Sequence, residues 1–297
     1  MEVKLATEMG FCYGVRRALS LLDEATHRYG NLQTLGHIVH NEQVVERLSQ
    51  KGISPVNNIA ELKNSIVAIT THGVGPGVLG ELKSRSLNIV DTTCPWVNRE
   101  QKAARRLAES GFSVVIFGDA DHPEVKGVLE WAGIGGRVSK EPSLKNLFTK
   151  YPRRLGILSQ TTQNPQAFKE FVKSIIDEFL PSGMEIRIIN TICDATQKRQ
   201  EAAVELAGTV DAMIVIGGKG SANTRRLAEI CQARGVPTHS VETVKELQDS
   251  WFTGKCSIGV TAGASTPDEV IQEVVGKIKS MDAGVNCNTT NSVYIST

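Results

Sequence analysis

No apolar run in the sequence approaches the roughly 18 residues that a membrane-crossing helix needs. The opening Met1-Glu2-Val3-Lys4-Leu5 lacks the basic start and apolar core of an export signal. The chain is therefore expected to be cytoplasmic, with no membrane partner. An excess of charge of one sign is also missing. The 33 basic residues face 32 acidic ones, for a net charge of +1, so nothing marks nucleic acid as a partner. Any anion has to be held by a local site. The six cysteines include no Cys-x-x-Cys pair, which argues against a zinc ribbon or a thioredoxin-like centre. In a reducing compartment they are not expected to form disulfides.

What is present is a repeat. Three cysteines stand in like contexts, Gly10-Phe11-Cys12-Tyr13, Thr92-Thr93-Cys94-Pro95 and Thr191-Ile192-Cys193-Asp194. Each follows a strand-like stretch (Val3 to Ala6, Leu87 to Val90, Ile186 to Ile189) and precedes a helical pattern; Val15, Ala18, Leu19 and Leu22 show the spacing in the first. Twenty-four residues beyond each cysteine lies a glycine (Gly36, Gly118, Gly217), and twenty-eight beyond lies a ligand-type residue (His40, His122, Ser221). A further helix, a third strand and a polar loop follow: Thr71-His72-Gly73, Gln160-Thr161-Thr162 and Ala262-Gly263-Ala264-Ser265.

Alternating strands and helices imply parallel sheets with right-handed crossovers. In such sheets ligands sit beyond the carboxyl ends of the strands. The repeat places every cysteine and every polar loop at that edge. The 297 residues favour two domains at roughly 150 each, but the repeat argues for three small α/β domains. The expected boundaries are 14–95, 96–192 and 193–283, with residues 1–13 completing the third sheet and 284–297 forming a flexible tail.

Three equivalent strand–helix junctions would bring three thiols to one point. A helix N-terminus lowers a thiol's pKa and favours the thiolate that binds metal. Three thiolates can hold a four-iron cluster and leave one iron without a protein ligand. Such an iron is a Lewis acid. Cys231 reads as helix packing, Cys256 enters an apolar strand, and Cys287 lies in the polar tail; none is assigned a function.

Imidazoles donate hydrogen bonds to phosphate oxygens, and His40, His72 and His122 all stand at loop ends. The glycine-rich Gly217-Gly218-Lys219-Gly220-Ser221-Ala222-Asn223 opens a helix, which suits anion binding by backbone amides. Glu124, two residues past His122, is the best proton donor; a partly dry carboxyl near an anion would have a raised pKa. Gly75-Pro76-Gly77-Val78-Leu79-Gly80 matches the dinucleotide pattern G-x-G-x-x-G. Its strand ends too early and its helix is too short for that fold.

These motifs, with Val39-His40-Asn41, Asp91-x-Thr93-Cys94-Pro95 and His122-Pro123-Glu124-Val125, resemble the 4-hydroxy-3-methylbut-2-enyl diphosphate reductase family from about residue 1 to 280. The resemblance implies three α/β domains around a central 4Fe-4S cluster held by Cys12, Cys94 and Cys193. It implies diphosphate binding by His40, His72, His122, Ser221, Asn223 and Ser265, a proton relay through Glu124, and contact of Thr161 with the substrate's alcohol end. It also implies isopentenyl and dimethylallyl diphosphate as products and ferredoxin or flavodoxin as electron donor. Many members carry Ser-Ser-Asn where this chain has Ser221-Ala222-Asn223, so weaker diphosphate contact is expected there. The rivals are a non-enzymatic iron–sulfur redox sensor and an NAD-dependent dehydrogenase using Gly75 to Gly80.

Overall fold

The computed structural model describes residues 1–179, 183 and 185–281. The expected tail, with Cys287, lies outside the described residues. Three four-stranded parallel sheets make up the protein, each built to one plan. The first sheet holds β2 (Leu32–Leu35), β3 (Ile53–Val56), β4 (Ile66–Ile69) and β5 (Asn88–Asp91) in the order β3-β2-β4-β5. The second holds β6 (Ser113–Phe117), β7 (Arg137–Val138), β8 (Arg154–Ser159) and β9 (Glu185–Ile188) in the order β7-β6-β8-β9. The third takes β1 (Glu2–Leu5) from the N-terminus and adds β10 (Ala212–Ile216), β11 (Thr238–Val241) and β12 (Ser257–Ala262) in the order β1-β12-β10-β11. Strand β1 lies parallel to β12 with Val3 opposite Ile258.

Nine α-helices of the described residues alternate with and follow the strands. They are α1 (Tyr13–Tyr29), α2 (Glu42–Gln50), α3 (Pro76–Ser84), α4 (Pro95–Glu109), α5 (Pro123–Ala132), α6 (Pro165–Phe179), α7 (Asp194–Ala207), α8 (Ala222–Gln232) and α9 (Asp268–Ser280). Helix α1 shows why they pack: Val15, Ala18, Leu22 and Ala25 recur every three or four residues and are buried. Central strands such as Ala212–Ile216 are buried at every position, as expected of parallel strands covered on both faces. Six apolar clusters result, two to a sheet, one on each face. Truncating a fully buried member such as Leu22 or Ile214 to alanine removes about 2–5 kcal/mol.

In each sheet the chain runs from the second strand out to an edge strand and returns to the third. The carboxyl ends of β2 and β4, β6 and β8, and β10 and β12 are therefore switch points, where α/β sheets bind ligands. The fourth strand of each sheet (β5, β9, β1) leads to a cysteine. Sequence reasoning missed the edge strands β3, β7 and β11. Each pairs with one neighbour only, and none has an apolar run: β3 carries Pro55, β7 has two residues, and β11 reads Thr238-His239-Ser240-Val241. Edge strands tolerate such residues because one face of their backbone ladder is free.

Candidate active site

Cys12, Cys94 and Cys193 occupy the same structural position, the N-cap of α1, α4 and α7. Each backbone N–H donates to a carbonyl two residues beyond the neighbouring third strand: Cys12 to Ala264, Cys94 to Thr71 and Cys193 to Thr161, each at 3.0 Å. One repeated bond thus ties every thiol to a polar loop. All three thiols are free and half-buried. A Cβ added at Gly14 would lie 2.7 Å from Cys94 Sγ and 3.8 Å from Cys12 Sγ. Two thiols therefore flank one point, and only glycine leaves it clear. Cys193 Sγ accepts from the Thr196 N–H at 3.2 Å.

The thiol acidity differs from the expectation. Burial pushes Cys94 up to about 11; the amides of Trp96 and Val97 pull it down by less, and Cys12 and Cys193 add repulsion. Burial likewise raises Cys193 against the Thr196 hydrogen bonds. Without a cation, the dry surroundings outweigh the helix N-termini. Three soft sulfur donors near enough to disfavour one another's charge are a set that a metal cluster fits.

The histidines converge from two sheets. His40 and His72 follow β2 and β4, and His122 follows β6; their ring centroids lie 4.6 Å (His40–His72), 5.3 Å (His40–His122) and 5.3 Å (His72–His122) apart. His122 caps α5, its Nδ1 accepting from the Glu124 N–H at 3.3 Å. That bond leaves Nε2 to carry the proton as a donor. Ser221 caps α8 with Oγ accepting from Thr224 N–H at 3.3 Å, so its hydroxyl proton stays available. Asn41, next to His40, caps α2. Three helix N-termini thus meet the same space, which favours an anion. Several buried polar atoms there lack a protein partner: His40 Nε2, both amide atoms of Asn223, and Thr162 Oγ1. Buried polar atoms are rarely left so.

Burial holds all three imidazoles neutral. His40 is brought down to about 4, first by desolvation, then by His122, His37 and Arg225. His72 is driven well below the ordinary range by burial and by its two neighbours. Burial lowers His122 too, against the opposing pull of Glu124 and Asp119. Their ring nitrogens lie within 4.8 Å of one another, close enough to share a metal. The groups beside them are Ser221, Asn223 and Ser265, hydroxyls and an amide, which suit phosphate oxygens better than a borderline metal.

Glu124 is 2% exposed, in the first turn of α5. Its Oε1 accepts from the Thr161 N–H at 2.7 Å, and the Thr161 carbonyl in turn receives Cys193 N–H. A second carboxyl, Glu100 on α4, was passed over in the sequence. It is fully buried, its charge is disfavoured first by burial and then by Glu124, and its pKa is driven well above the glutamate range. Only a buried polar residue on an apolar helix stripe hinted at it.

One cavity of about 110 Å³ is lined by every expected substrate residue, namely His40, His72, His122, Glu124, Thr161, Ser221, Asn223 and Ser265, with Cys94 on the same wall. Thr162, Gly14 and Ala222 also line it. The glycine pattern at 75–80 lies elsewhere. Gly75 packs against the Glu130 side chain of α5, and none of Gly75 to Gly80 lines the cavity that holds the histidines and Cys94.

Fold and site define a three-sheet α/β protein with three helix-capping thiols and a polar cavity of imidazoles and hydroxyls that Cys94 also lines. The comparisons agree on one family. The model of the LytB protein family matches residues 3–279, and the chain belongs to that family. It is 49% identical over 284 residues to the 4-hydroxy-3-methylbut-2-enyl diphosphate reductase of Dehalococcoides mccartyi strain CBDB1, covering 96% of this chain and all of that one. The enzyme of the same name from Geobacter metallireducens is 42% identical, covering 95% of this chain and 99% of the other. A solved (E)-4-hydroxy-3-methyl-but-2-enyl diphosphate reductase superposes with a TM-score of 0.68 at 40% identity, covering 94% of this chain and 99% of that one. The Plasmodium falciparum reductase superposes at 0.89 with 25% identity, covering 95% and 89%.

Proposed function

We propose that this chain reduces 4-hydroxy-3-methylbut-2-enyl diphosphate to isopentenyl and dimethylallyl diphosphate, the terminal reaction of the non-mevalonate pathway. The observation that carries this reading is the single cavity bringing the imidazole and hydroxyl cradle onto the same walls as Cys94, Glu124 and Thr161. Two electrons and two protons enter, the C–OH bond breaks, and a C–H bond and water form. Cys12, Cys94 and Cys193 would hold a 4Fe-4S cluster, which when bound supplies electrons singly and offers a Lewis-acidic iron.

The rest falls to side chains. His40, His72 and His122 and the amides at the three helix N-termini grip the diphosphate. Its charge raises the imidazole pKa values, so the cradle gains positive charge as it closes on the ligand. Ser221 and Ser265 hydroxyls and the Asn223 amide N–H, which has no partner in the protein, donate to the diphosphate oxygens. Thr161 orients the alcohol end, and Glu124, fixed by the Thr161 amide, passes a proton to the leaving oxygen. Burial of these groups keeps water from competing. Electrons come from a separate carrier, ferredoxin or flavodoxin.

Anaerobic, cluster-loaded protein given a reduced viologen and the hydroxymethylbutenyl diphosphate should oxidise the dye only with substrate present. Cys193→Ser should abolish it. Protein that demonstrably holds its cluster and yet leaves the dye reduced would point to the sensor instead, unless it also binds pyrophosphate tightly, which a sensor has no need to do.

A further inference from the structure

A groove of about 790 Å³ lies outside the substrate cavity, between α1, α4 and β9. Arg17, Arg99, Lys102, Arg106 and Arg187 line it against a single carboxylate, Glu109. Arg187 pairs with Glu185. Arg17 donates to the Thr93 carbonyl at 3.2 Å, and Arg99 lies over the Trp96 ring. Among the described residues none of Arg17, Arg99, Lys102 and Arg106 pairs with a carboxylate. A chain of nearly balanced charge has gathered unpaired cations in one hollow. Thr93 and Pro95, which flank Cys94, form part of its wall. The residues that follow the three thiols, Tyr13, Pro95 and Asp194, are all exposed, whereas most cradle residues are buried. Half-buried Cys94, between Thr93 and Pro95, therefore lies just behind this wall.

We propose that this groove docks the electron donor, a one-electron carrier protein with an acidic face; the proposal rests on the reductase reading. The cations steer an acidic surface toward the wall that Cys94 lies behind. The test is turnover with a reduced acidic ferredoxin and with reduced viologen, for the chain and for K102E/R106E. Ferredoxin KM should rise at least about tenfold in the variant while viologen turnover stays within about twofold. Ferredoxin binding to the unaltered chain, measured by calorimetry, should weaken steeply with salt. Unchanged ferredoxin KM, salt-independent binding, or stronger competition by a single-stranded RNA oligonucleotide than by ferredoxin would each overturn it. Absence of viologen turnover in the unaltered chain would instead count against the reductase reading.

Discussion

The first two sheets and the third follow one backbone plan but place different donors at the same turn. Twenty-eight residues past each capping cysteine the first two carry His40 and His122, and the third carries Ser221. The structural position is nearly shared: His122 and Ser221 are N-caps of α5 and α8, and His40 precedes the cap of α2. What the repeat holds constant is the backbone, meaning the switch point, the helix N-terminus and the bond from each cysteine to a polar loop. What varies is charge. The two histidine sides can gain protons when an anion binds, and the serine side cannot. On the proposed reading, a diphosphate would sit between a responsive wall and a fixed one.

The largest effect should come from what all three sheets share. Cys94→Ser keeps an N-cap oxygen for α4 but removes a soft donor. Bound iron should drop and viologen-supported turnover should fall more than about 1,000-fold, while circular dichroism stays unchanged. Normal iron content would break the equivalence of the three caps. Next is Glu124→Gln, which keeps the Thr161 amide bond but cannot give up a proton. Turnover should fall about 100- to 10,000-fold with iron content intact.

The two walls separate at the cradle itself. His72→Asn should weaken inorganic pyrophosphate binding about 10- to 100-fold, as loss of a hydrogen bond that becomes charge-assisted. Ser221→Ala should cost less in binding, about tenfold or below, but should also destabilise α8 by about 0.5–2 kcal/mol through the lost cap. Calorimetry and thermal melting read the two effects apart. Equal losses of affinity would mean the walls do not differ in charge.

The pH dependence sharpens the same contrast. His40 is brought to about 4 in the folded chain, below its unfolded value near 6.5. Between those values the unfolded chain binds more protons, so stability is present above about pH 6.5 and is lost as pH falls toward 4. Bound pyrophosphate pulls the imidazole values up, so it should reduce that loss and take up protons at neutral pH. The fall in Tm between pH 7 and pH 5 should shrink with pyrophosphate present. Calorimetric proton uptake of zero at pH 7 would mean that the histidines donate as neutral groups.

Much of this was legible in the sequence because the repeat fixes backbone position. Cys12, Cys94 and Cys193 stand at equivalent strand–helix junctions, and equal spacing put His40, His122 and Ser221 at equivalent turns. Three features were not legible. The edge strands carry no periodic signal, since β7 has two residues and β3 contains Pro55. Thiol acidity follows burial, which spacing does not report, so the raised Cys94 contradicts an argument from the helix N-terminus alone. Glu100 sits six residues past Cys94, outside every motif, and meets Glu124 only through the packing of α4 on α5.

The smallest expected effect concerns the one departure in the third loop. Ala222 is the first residue of α8, 8% exposed, and lines the cavity between Ser221 and Asn223. A hydroxyl there would sit where the helix N-terminus already favours an anion, and a buried hydroxyl left without ligand would cost stability. Ala222→Ser should therefore tighten pyrophosphate binding about 3- to 10-fold, the worth of one net hydrogen bond, while lowering the Tm of the ligand-free chain. A gain in affinity would show that the fixed wall can be strengthened without charge. If affinity stays the same while Tm falls, the hydroxyl does not reach the diphosphate, and the histidine side carries the binding difference between the two walls.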